Sequence, residues 1–285
     1  MNKVSKEAKR SSLVTTEWLS EHLQDDDLVL FDASMATVVG IEAIEYDQQP
    51  LIPNSYKLDV EQELCDLSSS QLHALPTPAQ FNAFAKRVGL SAESIVVVYD
   101  NQGIYSAPRA WWLLKVMGVD RVYVLNGGLP KWLAEKRATT TTYLLDSNQG
   151  TLQAAYQPQR VCDAAAVLAQ LTDSDSMVVD ARSAGRYQGS APEPRAGLRS
   201  GHIPGSVNIH FAELLHERQM KPLAELEVIF DDQLNSKQQP LIASCGSGIT
   251  ACIVLLAAAQ VGYQNLCLYD GSWTEWGADD QLPIE

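Results

Sequence analysis

Short apolar runs alternate with segments of helical periodicity along the whole chain. Residues 28–31 (LVLF), 95–99 (IVVVY) and 241–243 (LIA) are almost continuously apolar, which is typical of strands buried on both faces of a parallel sheet. Between such runs lie helical patterns such as TTEWLSEHL (15–23), with Thr15 or Thr16 as the N-cap. This alternation predicts an α/β fold with open, mostly parallel sheets flanked by helices.

The same pattern occurs twice. Residues 96–132 and 241–276 both run through an apolar strand, a glycine turn, an apolar helix, a second strand, another glycine turn and a tryptophan. A repeat unit of this length indicates a domain duplication and not a solenoid, whose periods are about 20–50 residues. The prediction is an N-terminal domain over 1–145, a Thr- and Gln-rich linker over 146–159, and a C-terminal domain over 160–285.

Composition excludes several classes of function. A net charge of −14 argues against nucleic-acid binding, which needs clustered Lys and Arg. No apolar run reaches the length of a membrane helix, and the N-terminus lacks the apolar region of a secretory signal. The five cysteines are scattered, with no C-x-x-C pair and no Cys/His cluster, so neither a metal site nor a disulfide framework is predicted. We therefore expect a cytoplasmic protein with no cofactor, no metal and no membrane partner.

One cysteine differs from the rest. Cys245 ends an apolar strand and is followed by Gly246, Ser247 and Gly248 before a long apolar helix. Ligands bind at the carboxyl ends of strands in open α/β sheets, and small side chains let backbone N–H groups converge on one centre. Such a nest at a helix N-terminus favours the thiolate, so Cys245 is the predicted nucleophile. For the three cysteines at 162, 252 and 267 we predict packing roles, and the role of Cys65 stays open.

This turn permits three other interpretations. Gly246, Gly248 and Ala251, with Asp270 at the end of the next strand, mimic a dinucleotide-binding fingerprint. Too little chain follows Asp270 for the rest of that fold. A phosphatase C-x5-R loop needs an arginine where Ala251 and Cys252 stand. An inert buried thiol is the third alternative, which the glycine context disfavours.

Arginines cluster in an otherwise acidic half of the chain. Four of them, Arg182, Arg186, Arg195 and Arg199, fall within residues 180–205. Their planar guanidinium groups suit bidentate binding of a carboxylate. Arg182, next to Asp180, favours a structural ion pair, whereas Arg186 and Arg195 lie in a Gly/Pro-rich loop and are candidate ligands for an anion. Composition does not decide the role of Arg199.

These segments together resemble the tandem-rhodanese sulfurtransferases. The resemblance is carried by DARSAGRYQG (180–189), EPRAG (193–197), GHIPGSVNIHF (201–211) and above all CGSGIT (245–250). It covers nearly the whole chain and implies two rhodanese-like domains, of which the first is catalytically silent because Asp100 stands at the position of Cys245. The CGSGIT loop is similar to that of members using 3-mercaptopyruvate, whereas thiosulfate-using members carry Arg and Lys in place of Gly246 and Ser247.

The resemblance also implies a mechanism and its residues. Cys245 would take the sulfur of 3-mercaptopyruvate as a persulfide, release pyruvate and pass the sulfur to cyanide or a thiol such as thioredoxin or glutathione. Arg186 and Arg195 match the positions that hold the substrate. Main-chain amides of the loop, from Gly246 through Gly248 and Ile249 to Thr250, would cradle the outer sulfur.

Two further groups match less closely. Ser247 would bind substrate or move a proton, or would only shape the turn. Family members place a histidine and an acid near this serine, and the matching stretch LDVEQELCDLSSSQLHAL (58–75) offers His73 and Glu61. A surface-loop histidine is the alternative for His73. Two other functions stay open, a thiosulfate sulfurtransferase and a non-catalytic persulfide carrier. His202 is predicted to be structural.

Overall fold

The computed structural model describes residues 11–171, 176–234 and 236–285. Residues 1–10, the start of the N-terminus discussed above, lie outside these ranges. The described chain forms two compact units. The first unit comprises the described residues within Met1–Asp66 together with Leu75–Gln157 and Glu217–Met220, and the second unit comprises Leu67–Ala74, Pro158–His216 and Lys221–Glu285. Each unit therefore contains one short segment from the other half of the sequence.

The first unit is built on a five-stranded sheet in the order β1-β5-β4-β2-β3, with every pair parallel. Its strands are β1 (Leu13–Val14), β2 (Leu28–Asp32), β3 (Ser55–Lys57), β4 (Ile95–Tyr99) and β5 (Val122–Leu125). Its helices are α1 (Thr16–His22), α2 (Pro78–Val88), α3 (Ala107–Val116) and α4 (Gly128–Ala134). All five residues of β4 are buried, as its continuous Val/Ile run predicted.

The second unit repeats this arrangement in the order β6-β12-β11-β7-β8, again with parallel pairs. Its sheet contains β6 (Val161–Cys162), β7 (Met177–Asp180), β8 (Val207–Asn208), β11 (Leu241–Ser244) and β12 (Leu266–Tyr269). Two short strands lie between β8 and β11 in the sequence: β9 (Leu215–His216) belongs to the second unit, and β10 (Gln219–Met220) belongs to the first unit. The helices are α5 (Ala164–Gln170), α6 (Ala184–Tyr187), α7 (Leu223–Gln233), α8 (Ala251–Gln260) and α9 (Ser272–Trp276). The shared strand order confirms the predicted α/β fold and its duplication.

Local sequence signals account for several helix ends. Thr15 caps α1, because its side chain accepts a hydrogen bond from the Trp18 N–H, which confirms the predicted N-cap. Thr77 and Gln80 form a reciprocal capping box at α2. Helix α8 is apolar on all sides and eight of its residues are buried, which is the expected pattern for a helix enclosed by its unit. No helix in the described ranges is long and apolar enough to cross a membrane.

The segment predicted as a linker is held against the first unit. The N–H groups of Asn148, Gly150, Thr151 and Gln157 donate to carbonyls of α2, α3 and the residues that follow α2. Of the predicted linker, residues 146–157 form neither helix nor strand, and residues 158 and 159 begin a short 3-10 helix (Pro158–Arg160). The sequence did not reveal these backbone hydrogen bonds, because extended segments carry no sequence signal for their partner.

Candidate active site

Cys245 lies directly after β11, at the carboxyl end of the second sheet. Ser244, the last residue of β11, pairs with Asp180 at the end of β7. The Cys245 N–H donates to Ser272 Oγ at 3.1 Å, and the Trp273 N–H donates to the Cys245 carbonyl at 3.0 Å. These bonds fix the backbone of the cysteine from both sides. The residue is 2% exposed, so Cys245 is buried at the end of the sheet and not on an open surface.

The loop after Cys245 presents unused amide donors. Gly248 has a φ of +78°, in the left-handed region that glycine adopts without strain, and α8 begins three residues later. Within the described part of the chain, the N–H groups of Ser247, Ile249, Thr250 and Ala251 donate to no protein acceptor. Converging amides at a helix N-terminus are a site for an anion. These unused amides are the donors that the predicted nest requires, and their convergence on the Cys245 sulfur stays a prediction.

The first unit shows what such a loop holds. Asp100 occupies the position that matches Cys245, and its carboxylate accepts four backbone hydrogen bonds of 2.8–3.0 Å. The donors match positions from Ser247 to Cys252 in the second unit, and they are Gln102, Tyr105, Ser106 and Ala107. Burial raises the pKa of Asp100, although these hydrogen bonds oppose the shift. The duplicated loop in the first unit thus binds a carboxyl group through its backbone amides.

Arg186 and Arg195 approach this loop at Gly246. A Cβ atom added at Gly246 would lie 3.2 Å from Arg186 Nη2 and 4.0 Å from Arg195 Nη1. Arg186 also donates through Nε and Nη2 to Glu193. Arg195 makes no hydrogen bond or ion pair with any described residue and lines a cavity of about 850 Å³. The structure therefore brings together the two arginines that the sequence singled out as anion ligands.

The other two arginines have structural partners. Arg182 is enclosed, donates to both oxygens of Asp180 and to the Gly201 carbonyl, and stacks 4.0 Å above the Trp273 ring. This is the structural ion pair that the sequence favoured. Arg199 donates to backbone carbonyls of residues 276–282 and so fixes the end of the chain. His202 likewise holds a loop, because its Nδ1 lies 2.8 Å from the Tyr187 carbonyl and its ring stacks on Tyr187.

His73 lies beside Ser247. Its Nδ1 is 3.1 Å from Ser247 Oγ, and His73 belongs to the segment Leu67–Ala74 that is part of the second unit. Gln71 of the same segment donates to Glu275 Oε1 at 3.0 Å. Glu61 belongs to the first unit, where its N–H donates to Asp59 and where it lines a polar cavity of about 760 Å³. Of the two predicted relay groups, the structure thus joins His73 to the loop within one unit.

Comparison with known proteins agrees with the geometry. The family model for the rhodanese-like domain matches residues 15–135 and again residues 163–279. The chain belongs to the rhodanese-like family. A 3-mercaptopyruvate sulfurtransferase from Escherichia coli K12 is 39% identical over 95% of this chain and 97% of its own length. The crystal structure of SseA from Escherichia coli, a 3-mercaptopyruvate sulfotransferase, matches with a TM-score of 0.81 and 36% identity over 92% of this chain and 99% of that one. A thiosulfate sulfurtransferase from Rattus norvegicus is 37% identical over 93% of this chain and 91% of its own length.

Two groups in the second rhodanese-like unit were not found from the sequence. Glu193 binds two arginines, Arg182 through Nη1 and Arg186 through Nε and Nη2. Ser272 accepts the Cys245 N–H and donates to the Tyr269 carbonyl. Glu193 stands in the EPRAG motif that carried the family resemblance, so the motif located it without giving its role. Ser272 has no sequence signal, because its contact is made across 27 residues.

Proposed function

We propose that this rhodanese-like protein is a 3-mercaptopyruvate sulfurtransferase. The observation that carries the proposal is a cysteine followed by a loop of unused amides, with Arg195 at the same loop making no hydrogen bond or ion pair with a described residue. A thiolate suits the nest, and a guanidinium suits a single carboxylate. The names of the relatives from Escherichia coli support the same donor.

The reaction is a two-step transfer of one sulfur atom. The Cys245 thiolate attacks the thiol sulfur of 3-mercaptopyruvate, an S–S bond forms, and the C–S bond of the donor breaks. The electron pair of that bond passes to the enolate of pyruvate, which takes up a proton and leaves. An acceptor thiolate, or cyanide, then attacks the outer sulfur and releases the Cys245 thiolate. No external oxidant or reductant is consumed. The transferred sulfur is oxidised to the sulfane level, and the carbon that keeps the electron pair of the C–S bond is reduced.

The loop and the arginines stabilise the charges of these steps. The amides from Gly246 through Gly248 and Ile249 to Thr250 surround the outer sulfur of the persulfide. Arg195 and Arg186 hold the carboxylate and keto oxygens, and the keto contact also stabilises the enolate as its charge develops. We assign to Ser247 and His73, whose side chains lie 3.1 Å apart within the second unit, the transfer of the proton that the enolate needs.

Replacing His73 by alanine is expected to lower kcat about 10–100-fold with little change in KM for the donor. Proton transfer by His73 would stabilise the transition state and would not contribute to binding of the donor in the ground state. Its loss should therefore lower kcat and leave KM nearly unchanged. Steady-state kinetics of pyruvate release measure it. Ser247→Ala should give a similar loss, and the double variant should be no slower than the slower single variant. A change confined to KM in both variants would show that they only shape the loop.

Thiosulfate is the second candidate donor, because the rat thiosulfate sulfurtransferase is nearly as similar as the relative from Escherichia coli K12. The test is a comparison of kcat/KM for the two donors with cyanide as the common acceptor. We expect 3-mercaptopyruvate to be preferred by at least about tenfold, because Gly246 and Ser247 supply no cation for a second negative charge. Higher efficiency with thiosulfate would contradict the proposed donor. Persulfide accepted only from a partner protein would indicate a carrier.

The acceptor and the compartment complete the proposal. A thiol such as glutathione or the dithiol of thioredoxin attacks the outer sulfur and returns Cys245 to the thiolate. A reducing compartment, the cytoplasm, keeps Cys245 available for the next cycle. Turnover is measured with each acceptor as pyruvate release at limiting donor. An acceptor is excluded if mass spectrometry shows that the Cys245 persulfide remains after the acceptor is added.

A further inference from the structure

Glu193 is a buried carboxylate held between two arginines beside the Cys245 loop. Its side chain is 2% exposed. Oε1 accepts from Arg182 Nη1 at 2.8 Å and from Arg186 Nε at 3.1 Å, and Oε2 accepts from Arg186 Nη2 at 2.6 Å. Arg186 thus donates through two of its nitrogens to Glu193 and keeps Nη1 for another ligand. Nη1 lies 3.9 Å from the Cβ position of Gly246, so the remaining donor faces the loop.

The charges around Arg186 cancel. Asp180 and Glu193 carry two negative charges, and their partners Arg182 and Arg186 carry two positive ones. His210 stands near Arg186, and burial lowers its pKa, so it adds no charge at neutral pH. Arg195 is then the cation at the loop without an ionic partner among the described residues. The cavity that Arg195 lines also carries the acidic side chains of Glu275, Asp279 and Asp280.

We propose that Glu193 is a positioning residue that both orients Arg186 and neutralises it, and so makes the site select a donor with one negative charge. The inference rests on the proposed function and adds the physical cause of its donor choice. A bidentate contact fixes the plane of the guanidinium, which aims Nη1 at the donor. A dianion such as thiosulfate meets the Glu193 charge with twice the repulsion that a monocarboxylate meets, in a site of low dielectric.

Glu193→Gln tests the charge while keeping the shape. Its amide oxygen can still accept from Arg186, but the cluster gains one net positive charge. We expect kcat/KM for thiosulfate relative to 3-mercaptopyruvate to rise by about tenfold or more. Glu193→Asp restores the charge and should return the ratio to within about threefold of wild type, with a lower kcat/KM for 3-mercaptopyruvate because the shorter side chain holds Arg186 less well. Glu227 on α7 forms an exposed ion pair with Lys237. Glu227→Gln makes the same charge change outside the loop and should leave the ratio unchanged.

Several results would overturn the inference. If wild type turns over 3-mercaptopyruvate but Glu193→Gln leaves the donor ratio within about twofold of wild type, Glu193 has no role in selection. If wild type itself releases no pyruvate, the proposed function fails instead, so the two failures are distinct. We expect the variant to fold, since Arg182 keeps Asp180 and Arg186 is 16% exposed. A second measurement needs only wild type: at equal ionic strength, acetate should inhibit at lower concentration than sulfate, and the reverse order would contradict a neutralised Arg186.

Discussion

Cys245→Ser is expected to reduce sulfur transfer from 3-mercaptopyruvate by at least about 10⁴-fold while the protein stays folded. A serine hydroxyl is not ionised in an amide nest at neutral pH, and an oxygen atom cannot carry the sulfane sulfur through a persulfide. The fold should tolerate the change, because the bonds that fix residue 245 are made by its backbone N–H and carbonyl to Ser272 and Trp273. Pyruvate release measures the turnover.

Intact-protein mass spectrometry after adding the donor gives the complementary result. Wild type should gain one sulfur atom located on Cys245, and Cys245→Ser should gain none. Cys267→Ser is the matched control, since it makes the same atomic change in β12 and should leave both turnover and sulfur uptake unchanged. Turnover retained in Cys245→Ser, or a persulfide found on another cysteine of the wild type, would remove the mechanism.

The backbone beside Cys245 differs from that around an inert core thiol. A buried cysteine in a core is surrounded by apolar side chains and saturated backbone, whereas among the described residues this loop leaves four amides without an acceptor beside two guanidinium groups. The matching loop in the first unit uses three of these amide positions, those that match Ser247, Thr250 and Ala251, to bind the Asp100 carboxylate. Asp100 also explains why the first unit would be silent, because a carboxylate that fills the nest leaves no thiol to accept sulfur.

The sequence predicted the fold because the fold depends on local patterns. Continuous Val/Ile/Leu runs located β4 and β11, and glycines at matching positions located the turns that follow them. Two-residue strands such as β6 and β8 could not be predicted from the sequence, because two positions are too few to show an alternation of apolar and polar residues. The assignment of Leu67–Ala74 to the second unit could not be predicted either, since contacts such as that of His73 with Ser247 span 174 residues.

At the candidate site, the sequence predicted which residues cluster but not which partner each arginine contacts. Four arginines share one stretch of sequence, and the sequence made Arg186 and Arg195 candidate anion ligands, left Arg199 undecided and gave no partner for any of these three. The structure separates them by what each guanidinium contacts: backbone carbonyls at the chain end for Arg199, Glu193 for Arg186, and no described residue for Arg195. Such differences follow from the path of the loop through space, and a Gly/Pro-rich segment does not encode that path in any periodicity.

Arg195→Ala is expected to lower kcat/KM for 3-mercaptopyruvate about 10²–10³-fold. Arg195 supplies the positive charge at the loop that has no ionic partner in the described part of the chain, and removing it leaves a bound carboxylate without its partner in a partly enclosed site. Because the guanidinium contacts the donor in both ground and transition states, most of the loss should appear in KM, and a fall in kcat as well would indicate that it also stabilises the enolate. Initial rates of pyruvate release over a range of donor concentrations give both constants.

Arg195→Lys separates charge from geometry in the same experiment. It keeps the positive charge without the planar fork, so it should recover part of the loss but remain below wild type. Arg121→Ala, at an exposed ion pair with Glu93 in the first unit, removes one arginine far from the cysteine loop in sequence and should leave kcat/KM unchanged. If kcat/KM of Arg195→Ala stays within about threefold of wild type, another group binds the donor carboxylate, and the Arg195 guanidinium does not contribute to donor binding.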